Sequence, residues 1–390
     1  KQGQDAYYNL SPYNIIRLEY GREKNNDSPN NNRYTRARQT FIGWLEQKIL
    51  ILENQPVFYL YRQSFHYQGV RYHRTGIIAA LKVEPYHTGS VLPHEQTLSK
   101  PKADRLELFK SCRANFSPIF TLFPDPKNQM ERICAPLFSQ TPLFEFSDQS
   151  GQTHRLWSIT APGQQKALQE LISPLPLLIA DGHHRYETSL GFSQESSDRP
   201  GYSHALTIMV SMHSPDLLIL PTHRLLHGLS PRQLKALPEI VSRNFNLQPQ
   251  GFLENLSGSD FLQELQQQGQ TAPALGLVLP SQAYLLTLKH SCPKQDRLDV
   301  TLLQDLILKP LLKGTPKGTA ERVTGYTTEQ QEVVEAVVKG KSQAGFILNP
   351  TPMKEVVTRA QQGEKMPQKS TYFFPKLPSG LVIYSLEKSL

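Results

Sequence analysis

Cysteine is scarce in this chain: Cys112, Cys134 and Cys292 are the only three thiols in 390 residues. They are too few and too far apart for a disulfide framework or a zinc motif, and a reducing cytoplasm suits them best. No apolar run approaches the ~20 residues of a membrane span, and no stretch has the shape of a signal peptide. A membrane partner is therefore not expected. A clustered basic face is missing too. The net charge of +8, from 42 Lys and Arg against 34 Asp and Glu, is scattered apart from short runs such as Arg71-Tyr72-His73-Arg74. With no evident helix-turn-helix, this argues against nucleic acid and leaves a tolerance for anionic ligands. The chain starts at Lys1 without a methionine, which points to an upstream segment.

Proline, by contrast, is plentiful at 30 residues, so many connections should be rigid and extended. The length implies two or three packed units. Apolar periodicity predicts a helix over 34–49, strands over 57–61 and 76–83 joined as a hairpin by a polar connector from Gln63 to Arg74, and a mobile polar loop over 21–33. Further helices are expected over 101–113, 164–171, 231–245, 260–268, 300–312, 328–338 and 353–361. Strands are expected over 117–123, 177–181, 205–211, 217–220, 275–279, 283–288, 345–348 and 381–385. The alternation reads as a mixed α/β or α+β architecture without internal repeats.

The richest stretch is Leu177-Leu178-Ile179-Ala180-Asp181-Gly182-His183-His184-Arg185-Tyr186-Glu187-Thr188. A buried strand ends in an acid and a glycine, and a helix opens with three cationic donors. Such a turn delivers helix N–H groups and the positive end of the dipole to an anion. Gly182 allows close backbone approach, His184 and Arg185 add charge-assisted bonds, and Asp181 either holds a metal ion or orients a histidine. The plainer alternative makes Asp181 a helix cap and leaves the histidines packed or solvated.

Pro93-His94-Glu95-Gln96-Thr97 places a carboxylate where it could act as a general base. Lys102 and Arg105, three apart on the next helix, could neutralise a phosphoryl group from one face, or simply form a solvated charge pattern. Lys369-Ser370-Thr371 resembles a phosphate grip in composition, although no Gly-rich loop precedes it. His223 and His227 have zinc-compatible spacing if helical, and Arg224 is the better anion candidate.

Together these segments resemble the bacterial and archaeal family catalogued as domain of unknown function 1015. The resemblance is carried by Asp181-Gly182-His183-His184-Arg185-Tyr186-Glu187-Thr188, Pro93-His94-Glu95-Gln96-Thr97, Pro101-Lys102-Ala103-Asp104-Arg105, Ser117-Pro118-Ile119-Phe120, Pro221-Thr222-His223-Arg224 and Met366-Pro367-Gln368-Lys369-Ser370-Thr371. The Asp-Gly-His-His-Arg cluster is also similar to the phosphate-binding signature of the ParB and sulfiredoxin superfamily. His183 stands where sulfiredoxins carry the reactive cysteine, so sulfinic-acid repair is not implied. The order Pro93-His94-Glu95, then Asp181-Gly182-His183-His184-Arg185, is similar to that of ParB-like free serine kinases.

The resemblance implies a ParB/sulfiredoxin-like core over 75–225, with a segment 1–74 packing on it and an α/β region over 226–390. It implies phosphoryl transfer from ATP or ADP, with Mg²⁺, to the hydroxyl of a small metabolite, free serine being the foremost acceptor. Glu95, Asp181 and His183 would then be catalytic, with Asp181 helping to place Mg²⁺. Gly182, His184, Arg185, Lys102, Arg105 and Lys369 would bind phosphates. His94, Thr97, His223, Arg224, Ser370 and Thr371 are candidate substrate contacts. A nucleotide-binding regulator without catalysis is the alternative, and a homodimer is compatible with either.

Overall fold

The polar stretch from Gln63 to Arg74 is a strand pair, contrary to the expected connector. In the computed structural model, β1 (Phe58–Tyr67) and β2 (Val70–Lys82) form one long antiparallel hairpin that turns at Gln68 and Gly69, both at positive φ. Polarity misleads here because Gln63, Ser64, Arg74 and Thr75 are buried. Buried polar groups satisfied by hydrogen bonds can build a sheet as well as apolar ones. The structure describes residues 3–95, 97, 99–195, 200–250, 259–289, 298–315 and 322–387. Cys292 and Gln96 lie outside the described residues.

The architecture is mixed α/β, and the chain divides into two compact units, Lys1–Leu218 with Pro375–Leu390, and Ile219–Phe374. This differs from edges at 74/75 and 225/226: the hairpin binds the N-terminal segment into the first sheet, and the last residues return to it.

The first unit opens with two short helices, α1 (Gln4–Leu10) and α2 (Ile16–Glu19), and then α3 (Arg33–Glu46). The stretch before α3 is tied down, where a mobile loop was expected. Asn32 caps α3 reciprocally with Thr35, and Arg36 bonds Asp27 and the Arg22 carbonyl. After the hairpin come β3 (Val91–Leu92), α4 (Ser99–Cys112), β4 (Ala114–Asn115) and β5 (Ile119–Phe123). α5 (Gln129–Cys134), β6 (Phe144–Ser147), β7 (Thr153–Ile159) and α6 (Pro162–Ile172) follow. β8 (Leu177–Asp181), α7 (His183–Glu195) and β9 (His204–Ser211) complete the sheet.

Eight strands align in the order β3-β8-β5-β9-β2-β1-β7-β6. Leu60, Ile77, Phe123, Trp157 and Ile159 pack with Met130 of α5 and Leu168 and Ile172 of α6. Val91, Ile119, Ile179 and Ala205 pack with Tyr186 of α7. Elsewhere Tyr61, Ile78, Leu206 and Ile208 line a small cavity with Leu377, Pro378, Leu381 and Val382 of the returning segment. Of the strand expected over 381–385, only Tyr384–Ser385 pairs, with β4.

The second unit is a six-stranded antiparallel sheet built from 245–250, 282–288, 274–279, 344–348, 223–226 and 324–327 in that order. Phe261, Leu265, Val333 and Val337 from two helices cover it. The helix expected over 300–312 is present, with a π-helical middle from Leu303 to Leu308. His223 begins a strand, Leu226 ends it, and His227 lies beyond, so helical zinc spacing does not apply. No helix among the described residues is long and apolar enough to cross a membrane.

Removing the α3 cap tests the ordering of residues 21–33. Asn32→Ala should cost about 1 kcal/mol of stability and quicken proteolytic cleavage before Arg33. Unchanged cleavage would show that the cap does not hold this stretch.

Candidate functional site

β3 and β8 are parallel neighbours, with Val91 opposite Leu177 and Leu92 opposite Leu178. Parallel pairing puts both carboxyl ends at the same edge, where ligand sites of α/β sheets gather. The Pro93-His94-Glu95 loop therefore leaves the sheet beside the Asp181-Gly182 turn. Two hydrogen bonds fasten it there. His94 Nδ1 donates to the Ile179 carbonyl at 2.7 Å, and His94 N donates to His183 Nε2 at 3.3 Å. A carbonyl can only accept, so the His94 proton sits on Nδ1, and His183 must carry none on Nε2. The two rings meet edge to face, 4.7 Å apart. His94 is 0% exposed. Burial pushes its pKa down to about 4, against the opposing pull of the Ile179 carbonyl and the Asp181 charge.

His183, expected among the catalytic residues, is thus buried and turned toward the neighbouring loop. One helical turn on, and so on the same face of α7, Glu187 repeats the tether. It accepts from Thr97 Oγ1 and from Lys102 Nζ, both at 2.8 Å. The Lys102 ammonium is therefore engaged in fixing α4 to α7. Arg105 goes elsewhere: its guanidinium lies over the Tyr20 ring and bonds the Tyr20 hydroxyl, with Glu19 at 3.9 Å. The two cations expected to act from one helix face have separate anionic partners.

Gly182 makes the turn at φ +94°, in the left-handed region. A Cβ there would come within 2.9 Å of the Arg185 guanidinium. Arg185 lies against the turn because Asp181, one helical turn back, draws it in at 3.4 Å. The second Asp181 oxygen is 3.7 Å from Lys376 Nζ. His184 is half-buried at the start of α7, and its carbonyl accepts from Thr188. Glu95 is half-buried next to His94.

A carboxylate already shared by two cations is a poor donor set for Mg²⁺. Among the described residues no three His, Cys, Asp or Glu side chains come together to hold a metal. The residues present do not fit a resident metal at Asp181.

The remaining candidates belong to the second unit. Arg224 is buried, stacks over Tyr326 at 4.7 Å, and donates to the carbonyls of Thr222, Gln368 and Lys369. Ser370 Oγ donates to the Pro367 carbonyl, and the Ser370 carbonyl accepts from Thr351. Lys369 adopts φ +57° in this loop, and Thr371 is buried next to it. His223 is buried and neutral, its pKa pushed down to about 4 by burial, and its Nδ1 accepts from the Leu348 amide. These contacts shape the loop around Lys369 within its own unit.

Arg74 and Lys376 were missed as site residues by sequence reasoning. Arg74 is 1% exposed, lies 4.9 Å from the Phe120 ring centre, and is among the charges acting with Asp181. Burial lowers its pKa to about 10, so it stays charged at neutral pH. The β-register places Phe120 opposite Asp181. No local pattern could have linked residues 74, 181 and 376.

A family model described as a protein of unknown function (DUF1015) matches residues 1–301. Among solved structures, the chain is similar to a conserved hypothetical protein from Pyrococcus furiosus, at 13% identity and a TM-score of 0.42, over 80% of this chain and 95% of that one. It is similar to a free serine kinase variant in complex with AMP, at 14% identity and 0.42, over 76% and 87%. It is also similar to SbnI with a C-terminal truncation from Staphylococcus aureus, at 10% and 0.42, over 80% and 90%. No curated protein matches. At these values the structural likenesses carry no argument about activity.

Two measurements test the geometry. Gly182→Ala should destabilise by about 1 kcal/mol and displace Arg185 from Asp181, read by denaturant unfolding and by a crystal structure. In acid, the stability tied to the buried neutral His94 should fall with a defined sign. The unfolded histidine titrates near its ordinary value of 6.5 and the folded one near 4. The unfolded state therefore binds the extra proton in this window. The stability that His94 contributes is complete above pH 6.5 and is lost progressively as pH falls toward 4. His94→Gln should flatten that part of the melting-temperature profile; an unaltered slope would assign it to other groups.

Proposed function

The chain belongs to the DUF1015 family, and on that premise we propose that its β3 and β8 loops form a nucleotide-phosphate site of a small-molecule kinase. The core around them is read as ParB/sulfiredoxin-like. The donor is ATP or ADP, and the acceptor is the hydroxyl of a small metabolite, with free L-serine foremost. The observation that supports this most directly is the bonded contact between the Glu95 loop and the Gly182 turn, through His94 and His183.

On this reading the start of α7 directs its amides and dipole past Gly182 toward the phosphates. Arg185 and His184 add charge at that end. Glu95, carried on the loop beside them, takes the proton of the acceptor hydroxyl. The acceptor oxygen then bonds to the terminal phosphorus as the bond to the bridging oxygen breaks, leaving ADP or AMP. Transfers of this kind have loose transition states, so positioning and charge neutralisation provide most of the rate. His183 and His94 serve as struts in this scheme and do not touch phosphate. Cys112 and Cys134 are free and buried, which agrees with a reducing cytoplasm.

The test is purified full-length chain with ATP or ADP, Mg²⁺ in the buffer, and a panel of hydroxyl amino acids. Phosphorylated product should form, and Glu95→Gln should lower kcat by about a hundredfold or more while nucleotide affinity stays within a few-fold. Undiminished turnover in that variant removes Glu95 from the mechanism. Tight nucleotide binding with no product on any acceptor would replace the kinase by a nucleotide-binding regulator.

A further inference from the structure

Residues 375–390 rejoin the first unit after the chain has built the second. They re-enter over a buried polar pair. The hairpin register sets Gln63 opposite Arg74, and the two bond at 2.5 Å. Arg74 also donates to the Pro375 carbonyl at 2.6 Å, and Gln63 Nε2 donates to the Lys376 carbonyl at 3.2 Å. The two carbonyls flanking the Lys376 Cα are thus each held by a buried side chain.

Burying a guanidinium is costly, and apolar packing would fasten a strap more cheaply. The segment already sets Leu377, Pro378, Leu381 and Val382 around one small apolar cavity with Tyr61, Ile78, Leu206 and Ile208. What the Arg74–Gln63 pair adds is register: it fixes which residue stands at the Asp181 turn. That residue is Lys376, 41% exposed, with Nζ 3.7 Å from Asp181 Oδ1. Arg185 holds the other oxygen of the same carboxylate. Each oxygen of the carboxylate thus has its own cation, and both side chains are long enough to swing onto a larger anion.

From this geometry we infer that Lys376 is a phosphate-binding residue of the site, with Asp181 as its resting counter-ion and Arg74 as its positioning residue. The inference rests on the reading that the Gly182 turn takes a phosphate group. A di- or triphosphate outcompetes a single carboxylate for the two cations because it carries more charge and more acceptor oxygens. Lys376 then moves from Asp181 to the phosphate, and no covalent step is involved.

The experiment uses the full chain and calorimetric titration with ATP, ADP and inorganic pyrophosphate. Lys376→Ala should weaken all three by about tenfold to a hundredfold with an unchanged melting temperature, and Lys376→Arg should recover most of the loss. Wild-type affinity in a folded Lys376→Ala protein overturns the inference. Arg74→Gln should weaken pyrophosphate, and the double variant should be little worse than Lys376→Ala, since Arg74 acts through the lysine. Additive losses would make Arg74 merely structural, and if Arg74→Gln does not fold, the two Lys376 variants decide. Pyrophosphate binding that depends on Lys376, without phosphoryl transfer, would keep this assignment and remove the kinase. Failure of the wild type to bind any of the three probes would end both.

Discussion

His94 joins two strand ends that the sheet alone would leave merely adjacent. Its ring bonds the Ile179 carbonyl and its amide bonds His183, so the loop after β3 is pinned to the first turn of α7. The first bond needs a proton on His94 Nδ1 and the second a bare Nε2 on His183, while burial keeps the His94 ring neutral by disfavouring its charged form. Glu187 repeats the fastening one turn along the helix through Thr97 and Lys102. These struts hold the loop that carries Glu95 beside the Gly182 turn.

The charge arrangement follows from that frame. His94 and His183, which a residue-type reading places at the ligand, hold the two loops together instead. Cations that are far apart in sequence gather instead on Asp181: Arg185 from its own helix and Lys376 from the end of the chain. Lys102 and Arg105, which look like ligands on a helical wheel, each answer an acid within the fold. The positive character at the turn thus comes from few groups, each held by a named partner.

Much of this could be read from the chain before folding. The strand-acid-glycine-helix order at 177–195 is local, and local periodicity and turn chemistry define it. The helix over 353–361 and the strands around 275–288 and 345–348 were legible for the same reason. The hairpin was legible only in part, since buried Gln63 and Arg74 look like loop residues until their partners are known. The inward turn of His183 was not legible, because nothing in an Asp-Gly-His-His run says which ring faces the core. Lys376 was still further out of reach: its place depends on a register set by residues some three hundred positions earlier.

That late return has a bearing on biogenesis. Tyr61, Ile78, Leu206 and Ile208 are made before the second unit, but Leu377, Pro378, Leu381 and Val382, which line a small cavity with them, are made after it. While the intervening residues emerge from the ribosome, this apolar surface has no cover of its own, and the Arg74 guanidinium awaits the carbonyl it will bond. The first unit therefore reaches its final form only after the whole of the second has been synthesised, and until then it is a partly covered intermediate of the kind that chaperones shelter.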